Sequence, residues 1–554
     1  MTVHASYAPL ADLSAAGVSI WLDDLSRELL ADGRLEQLIA DKHVVGVTTN
    51  PTIFASALSK GERYSEQLRR LGREGADVDA AVFALTTDDV RAGCKVFAPI
   101  YRRTDGQDGR VSLEVDPRLA RDADATVADA TKLWGAVAEP NLLVKIPGTA
   151  EGLAAVTDVI AQGMSVNVTL IFSLDRYRAV MDAYMTGLEQ ALAAGRDLRG
   201  IHSVASFFVS RVDTEVDRRL DAIGTPEARA LKGGAAVANA RLAHRAYEEV
   251  TGGVRWQRLA AAGARPQRPL WASTGVKDPA YPDTRYVSEL AIAGTVNTMP
   301  GATLDAFADH GTLPGRPQSD DHVAALAHFD ALEAVGIDFA DVTEALEREG
   351  LSKFEKSWAE LGATVSRELS AVADTDASPG NGDATAASSD GSEFLAIYLN
   401  DHLTGATTGT ELLGRAVRAQ EGRDGGTALA ELAQQVEQDR EALIQIMADL
   451  NVSTDHAKVA IGWLAEKAGR LKLNGHLFSR SPLSDVLELE ALLVGVEGKA
   501  ACWRVLRVLA ETDGRLHADR LDTLLERAEQ QVSALEEMRL VAAAGTFGVQ
   551  PVGR

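Results

Sequence analysis

Lys145 is the only ionisable side chain in the apolar run Asn141-Leu-Leu-Val-Lys-Ile-Pro147. Desolvation in such a run disfavours the ammonium form and frees an amine that can attack a carbonyl carbon and form a Schiff base. The ordinary alternatives are a lysine snorkelling from a strand end or pairing with a carboxylate. Schiff-base chemistry moves a proton at every step, so it needs positioned acid–base groups. Asp23 and Glu114 each close a short apolar run and supply two carboxylates. Their ordinary readings are a helix N-cap for Asp23 and a partner of Lys145 or Arg118 for Glu114. Asn50, Asn167, Thr169 and Ser206 are neutral hydrogen-bonding groups suited to the hydroxyls of a polyol, or to satisfying their own strand ends. For an anionic end group the candidates are Arg211 and the run Ser273-Thr-Gly-Val-Lys277, which offers hydroxyls, backbone amides and a cation.

These residues share a setting: each interrupts, closes or follows a short β-rich run. Such runs are read at Val18–Asp23, Val45–Thr49, Val111–Val115, Leu142–Ile146, Ser165–Phe172, Ser203–Val209, Leu270–Ser273 and Thr295–Thr298. Stretches of helical spacing, such as Leu119–Val137 and Leu174–Leu192, lie between them. Alternating strands and helices give parallel βα units, and eight of them close a (β/α)8 TIM barrel, whose chemistry gathers at the C-terminal strand ends. An open doubly wound sheet is the alternative fold.

The chain has 554 residues, too long for one core, and its 80 acidic against 56 basic residues leave a formal charge of −24. That balance argues against nucleic acid or an anionic membrane as a partner. Two distant cysteines, Cys94 and Cys502, form neither a disulfide framework nor a Cys-based zinc site and suit a reducing compartment. With no signal segment and no long apolar run, a cytoplasmic protein is expected.

Residues 373–392 contain no large apolar residue and have the composition of a flexible linker. They separate a barrel at 1–372 from an all-α bundle at 393–554. Helices are expected there at Phe394–Glu421, Ala428–Leu450, Asp455–Leu471, Leu483–Leu509 and His517–Leu540. None of His402, His456, His476 and His517 has a glutamate three residues earlier, so no di-iron pattern is present and no metal is expected. Glu437, Glu490, Glu497 and Glu526 read as solvated face or as structural. The bundle suits assembly, docking or regulation, through a homo-oligomer or a protein partner.

The first 372 residues resemble the transaldolases. The matching segments are Val47-Thr-Thr-Asn-Pro-Thr52, Leu113-Glu-Val-Asp116, Val144-Lys-Ile-Pro147, Asn167-Val-Thr-Leu-Ile-Phe-Ser173 and Ser206-Phe-Phe-Val209, in that family's order and over about residues 15–365. The resemblance implies a (β/α)8 class I aldolase with its Schiff-base lysine on the fourth strand. It also implies transfer of a dihydroxyacetone unit between sugar phosphates, without metal or other cofactor. The exchange would be that of the pentose phosphate pathway, from sedoheptulose 7-phosphate to glyceraldehyde 3-phosphate. By the same resemblance Lys145 is the nucleophile, Asp23 the acid–base group at carbon–carbon cleavage, and Glu114 with Thr169 a water-mediated proton relay. Asn50, Asn167 and Ser206 would hold substrate hydroxyls, and Arg211 with Ser273 the phosphate. The second phosphate arginine of many members falls here on Gly275, with Lys277 as its nearest substitute. Phe208 replaces the tyrosine of the related fructose-6-phosphate aldolases and leans toward the transferase. A simple aldolase, and an idle barrel serving as scaffold, are the competing readings.

Overall fold

The computed structural model describes residues 8–60, 62–313, 321–376, 389–420, 426–452 and 482–547. Contacts divide the chain into two compact units that part between Pro379 and Gly380.

In the first unit eight strands pair in chain order into a closed, all-parallel barrel. They are β1 (Ser19–Leu22), β2 (Val44–Val47), β3 (Arg110–Glu114), β4 (Leu142–Pro147), β5 (Val166–Ile171), β6 (Ser203–Phe208), β7 (Arg268–Ala272) and β8 (Val296–Met299). All eight expected strands are present, with ends shifted by a residue or two, and the open sheet is excluded. Helices start where a short polar side chain caps them. Asp122, Thr149 and Ser173 each accept a hydrogen bond from the backbone N–H three residues on. Asp122 delays the helix expected from Leu119, which begins at Ala123 and runs to Val137, after a single 3-10 turn at Pro117–Leu119.

Strand β7 begins two residues before the expected run because its first residue works at the N-terminal pole of the barrel. Arg268 donates to Ser19 Oγ at 2.8 Å and to Asp108 Oδ1 at 2.9 Å, and Ser19 donates to the other carboxylate oxygen at 2.9 Å. This paired plug satisfies charges that burial would otherwise penalise. The opposite pole is left to the loops and to a 38-residue helix, Phe339–Asp376, whose Leu346, Leu351, Phe354, Leu361 and Val365 are buried in the core of the unit.

The second unit contains four described helices: Ser389–Gln420, Gly426–Asp449, Pro482–Leu509 and Ala518–Phe547. The expected helix Asp455–Leu471, with His456 and His476, lies outside the described residues. So does most of the proposed linker, whose ends belong to helices that reach Asp376 on one side and start at Ser389 on the other. The apolar stripe Leu429, Leu432, Val436, Leu443, Ile446, Met447 and Leu450 is buried as its spacing requires. Glu490, Glu497 and Glu526 are exposed, and Glu437 pairs with Arg440 at 3.1 Å. The buried acid is instead Asp439, within that stripe, which pairs with Lys499 at 2.5 Å and with Arg527. Among the described residues no helix is long and apolar enough to cross a membrane.

Candidate active site

Parallel register places Glu114 of β3, Lys145 of β4 and Asn167 of β5 side by side. Alternation along each strand turns all three side chains into the barrel interior. Lys145 and Glu114 are each 4% exposed, and Lys145 Nζ lies 3.4 Å from Glu114 Oε2. The ammonium also donates to the Thr49 carbonyl at 2.9 Å, just past the end of β2. Glu114 is therefore the charge partner of Lys145, whereas Arg118 is engaged by Asp116 and Asp79. Burial raises the Glu114 carboxyl to about 7 against the opposing pull of Lys145. Neither of its oxygens accepts a hydrogen bond, and the Thr169 hydroxyl is likewise buried without a partner. Leu170, at φ 59° beside a register shift in the β5–β6 pairing, bends the backbone immediately after Thr169.

Asp23 follows β1 on the other flank of the lysine. It does not cap the next helix, a task taken by Ser26. Its Oδ1 accepts from Thr48 Oγ1 at 2.7 Å, and Thr48 in turn meets Thr298 at 2.7 Å. Desolvation holds the Asp23 carboxyl above the ordinary range, with Lys145 and the Thr48 hydroxyl pulling the other way. A carboxyl shifted toward neutrality can both take and return a proton.

A cleft of about 690 Å³ opens at the C-terminal ends of the strands, with Lys145 on its floor. Asp23, Asn50, Thr169 and Ser206 line its inner part; Phe208, Arg211, Ser273 and Lys277 line one side. Two of the expected site residues, Asn167 and Glu114, do not line it. Asn167 is fully buried, donating to Ser112 Oγ at 3.0 Å and accepting from Ser206 Oγ at 2.7 Å, so it reaches the cleft only through Ser206. Glu114 faces a separate chamber of about 190 Å³ that Asn50 also borders. The Arg211 guanidinium stands 5.1 Å from the Phe208 ring centroid, and that ring packs on Phe172 at 5.2 Å. Ser273, at φ 56°, meets the Ser210 hydroxyl at 3.0 Å. A Cβ on Gly275 would come within 3.3 Å of Thr303 Oγ1, so a large side chain there is crowded.

Lys353 and Phe354 also line the cleft and went unread in the sequence, because they come from the long helix after the last strand. The Phe354 ring centroid is 5.7 Å from Lys145 Nζ, forming an apolar wall beside the amine. Thr48 and Thr298 were missed too; the only sign of Thr48 was its place inside the Thr-Thr-Asn-Pro run.

An amine buried at the mouth of a (β/α)8 barrel, with a carboxyl on each flank, places the protein among the barrel enzymes built for carbonyl chemistry. Residues 20–365 match the family model described as transaldolase/fructose-6-phosphate aldolase. A protein of Thermobifida fusca named transaldolase is 62% identical over 364 residues, covering 66% of this chain and 99% of that relative. Transaldolases of Parafrankia sp. and Mycolicibacterium smegmatis are each 59% identical over 66% of the chain and 99% and 98% of their own lengths. The chain belongs to the transaldolase/fructose-6-phosphate aldolase family and is an enzyme of it. About a third of its length, the helical unit included, has no counterpart in these relatives.

Proposed function

We propose that the barrel is a transaldolase that moves a dihydroxyacetone unit between sugar phosphates through a Schiff base on Lys145. The observation that carries this reading is the placement of Lys145 between Glu114 and the cleft, with Asp23 on the opposite flank. Glu114 relieves the ammonium of its proton, and the neutral Nζ attacks the C2 carbonyl of a ketose phosphate. The carbinolamine loses water to give an iminium. Asp23 takes the C4 hydroxyl proton as the C3–C4 bond breaks, and the electron pair flows into the iminium to leave an enamine. The shorter aldose phosphate departs. The enamine carbon then attacks the incoming aldehyde, whose oxygen recovers the proton from Asp23, and water hydrolyses the new iminium. Thr169, with its unpartnered hydroxyl, is suited to hold the water that carries protons between Glu114 and the reacting nitrogen. Asn50 and Ser206 offer partners for substrate hydroxyls, with Asn167 fixing Ser206. Arg211, Ser273 and Lys277 offer the phosphate site.

The test is incubation with fructose 6-phosphate and borohydride, followed by intact-mass measurement and peptide mapping. A dihydroxyacetone-sized adduct on Lys145, absent from a folded Lys145→Met variant, is expected. No adduct, or one on another residue, would overturn the assignment. Turnover that accelerates only when an aldose phosphate acceptor is supplied separates transfer from simple aldol cleavage.

A further inference from the structure

Three cations meet at one corner of the cleft: Arg211 at the start of the helix Ser210–Ile223, Lys277 beyond β7, and Lys353 on the helix Phe339–Asp376. Most other basic side chains of this acidic barrel are matched by carboxylates, as Arg118, Arg255 and Arg268 show. Among the described residues none of these three closes an ion pair, although Asp23 and Glu349 act on Arg211 from farther away. Burial is the main cause that holds the Lys353 ammonium below the ordinary lysine range, and the charges of Arg211 and Lys277 push the same way. A cluster that repels itself in a protein of charge −24 is organised for a multiply charged anion.

The helix is seated so that Lys353 reaches this corner. At Gly350 its backbone comes so close to the barrel that a Cβ would lie 2.9 Å from Leu170 Cδ2 and 3.7 Å from the Arg211 guanidinium. One turn further along the same face come Lys353 and Phe354, both lining the cleft. On the transaldolase reading above, we infer that Lys353 is a specificity-determining residue. It supplies the third cation for the substrate phosphate and so sets the preference for phosphorylated over neutral sugars.

The experiment compares wild type, Lys353→Met and Lys353→Arg in full-length protein. It measures kcat and KM for fructose 6-phosphate, kcat/KM for unphosphorylated fructose, and inhibition by inorganic phosphate. In Lys353→Met, KM for fructose 6-phosphate and the phosphate inhibition constant are expected to rise about tenfold or more, the loss of one charge-assisted contact. The ratio of kcat/KM between the two sugars should fall by a similar factor, and Lys353→Arg should restore most of it. A lysine that only stabilises its helix would leave that ratio unchanged, and an unchanged ratio with unchanged phosphate inhibition overturns the inference. If wild type traps the dihydroxyacetone adduct but neither prefers the phosphorylated sugar nor is inhibited by phosphate, the inference fails while the Schiff-base reading stands. Failure of wild type to trap the adduct defeats the Schiff-base reading itself.

Discussion

Glu114 is where the chemistry of the site depends most on a single environment. In the proposed reaction its carboxyl, raised to about 7 by burial, has to be ionised to accept the proton of Lys145. The donor kcat/KM is therefore expected to rise with pH through a limb near 7. In Glu114→Gln that limb should vanish along with about two orders of magnitude of rate, the usual worth of a positioned base. Stability carries the same mark with a definite sign. The folded state binds this proton more tightly than the unfolded chain, whose carboxyl stays at its ordinary 4.5. The protonated form thus contributes stability that is complete below 4.5 and is lost as pH rises through about 7. Removing the ionisable group removes the loss, so the melting temperature of Glu114→Gln relative to wild type should climb between roughly pH 5 and pH 8. A constant difference across that window would show that Glu114 is not shifted upward.

At the scale of elements, the barrel depends on close approaches that a methyl group would spoil. Gly46 of β2 lies beside Trp21 of β1, and a Cβ there would sit 2.5 Å from a fully buried indole. Gly46→Ala is expected to cost about 1–3 kcal/mol, the usual range for overpacking a dense core, and to lower the denaturant midpoint. An unchanged midpoint would mean that the indole has room to move. The strands themselves were legible in the sequence because each is a short apolar run closed by a polar residue. The same pattern pointed to Lys145, Asp23 and Glu114, whose oddity is local. Lys353 and Phe354 were not legible, because nothing in the helix around them says that its face covers the mouth of the barrel. That fact belongs to the Gly350–Leu170 contact, 180 positions apart in the chain. Asn167 was read as a partner for substrate hydroxyls or a satisfied polar group of its strand, and its burial behind Ser206 depends on β3 and β6, which its own strand does not encode. Asp439 left one sign, a carboxylate at an apolar-stripe position, but its partners Lys499 and Arg527 lie 60 and 88 residues away.

For the molecule as a whole, the division of contacts between Pro379 and Gly380 leads us to expect two units that unfold separately. A chain ended at Asp376 should remain soluble, trap the Schiff base and melt like the barrel in the full protein; insolubility would mean that the barrel needs the remaining residues to fold. In the full chain, Asp439→Ala leaves Lys499 and Arg527 without their buried counter-charge, at a cost of about 3 kcal/mol. Calorimetry should show the transition of the helical unit move down while that of the barrel stays in place. A shift of both would show that the units melt together.

The eight strands are complete at Met299, whereas the side of the cleft formed by Lys353 and Phe354 is more than fifty residues further along. During synthesis the barrel therefore has every strand before its cleft has every wall. On the phosphate role inferred for Lys353, the corner that recognises the phosphorylated substrate is complete only once the helix carrying Gly350 and Lys353 has been made and has packed onto the barrel.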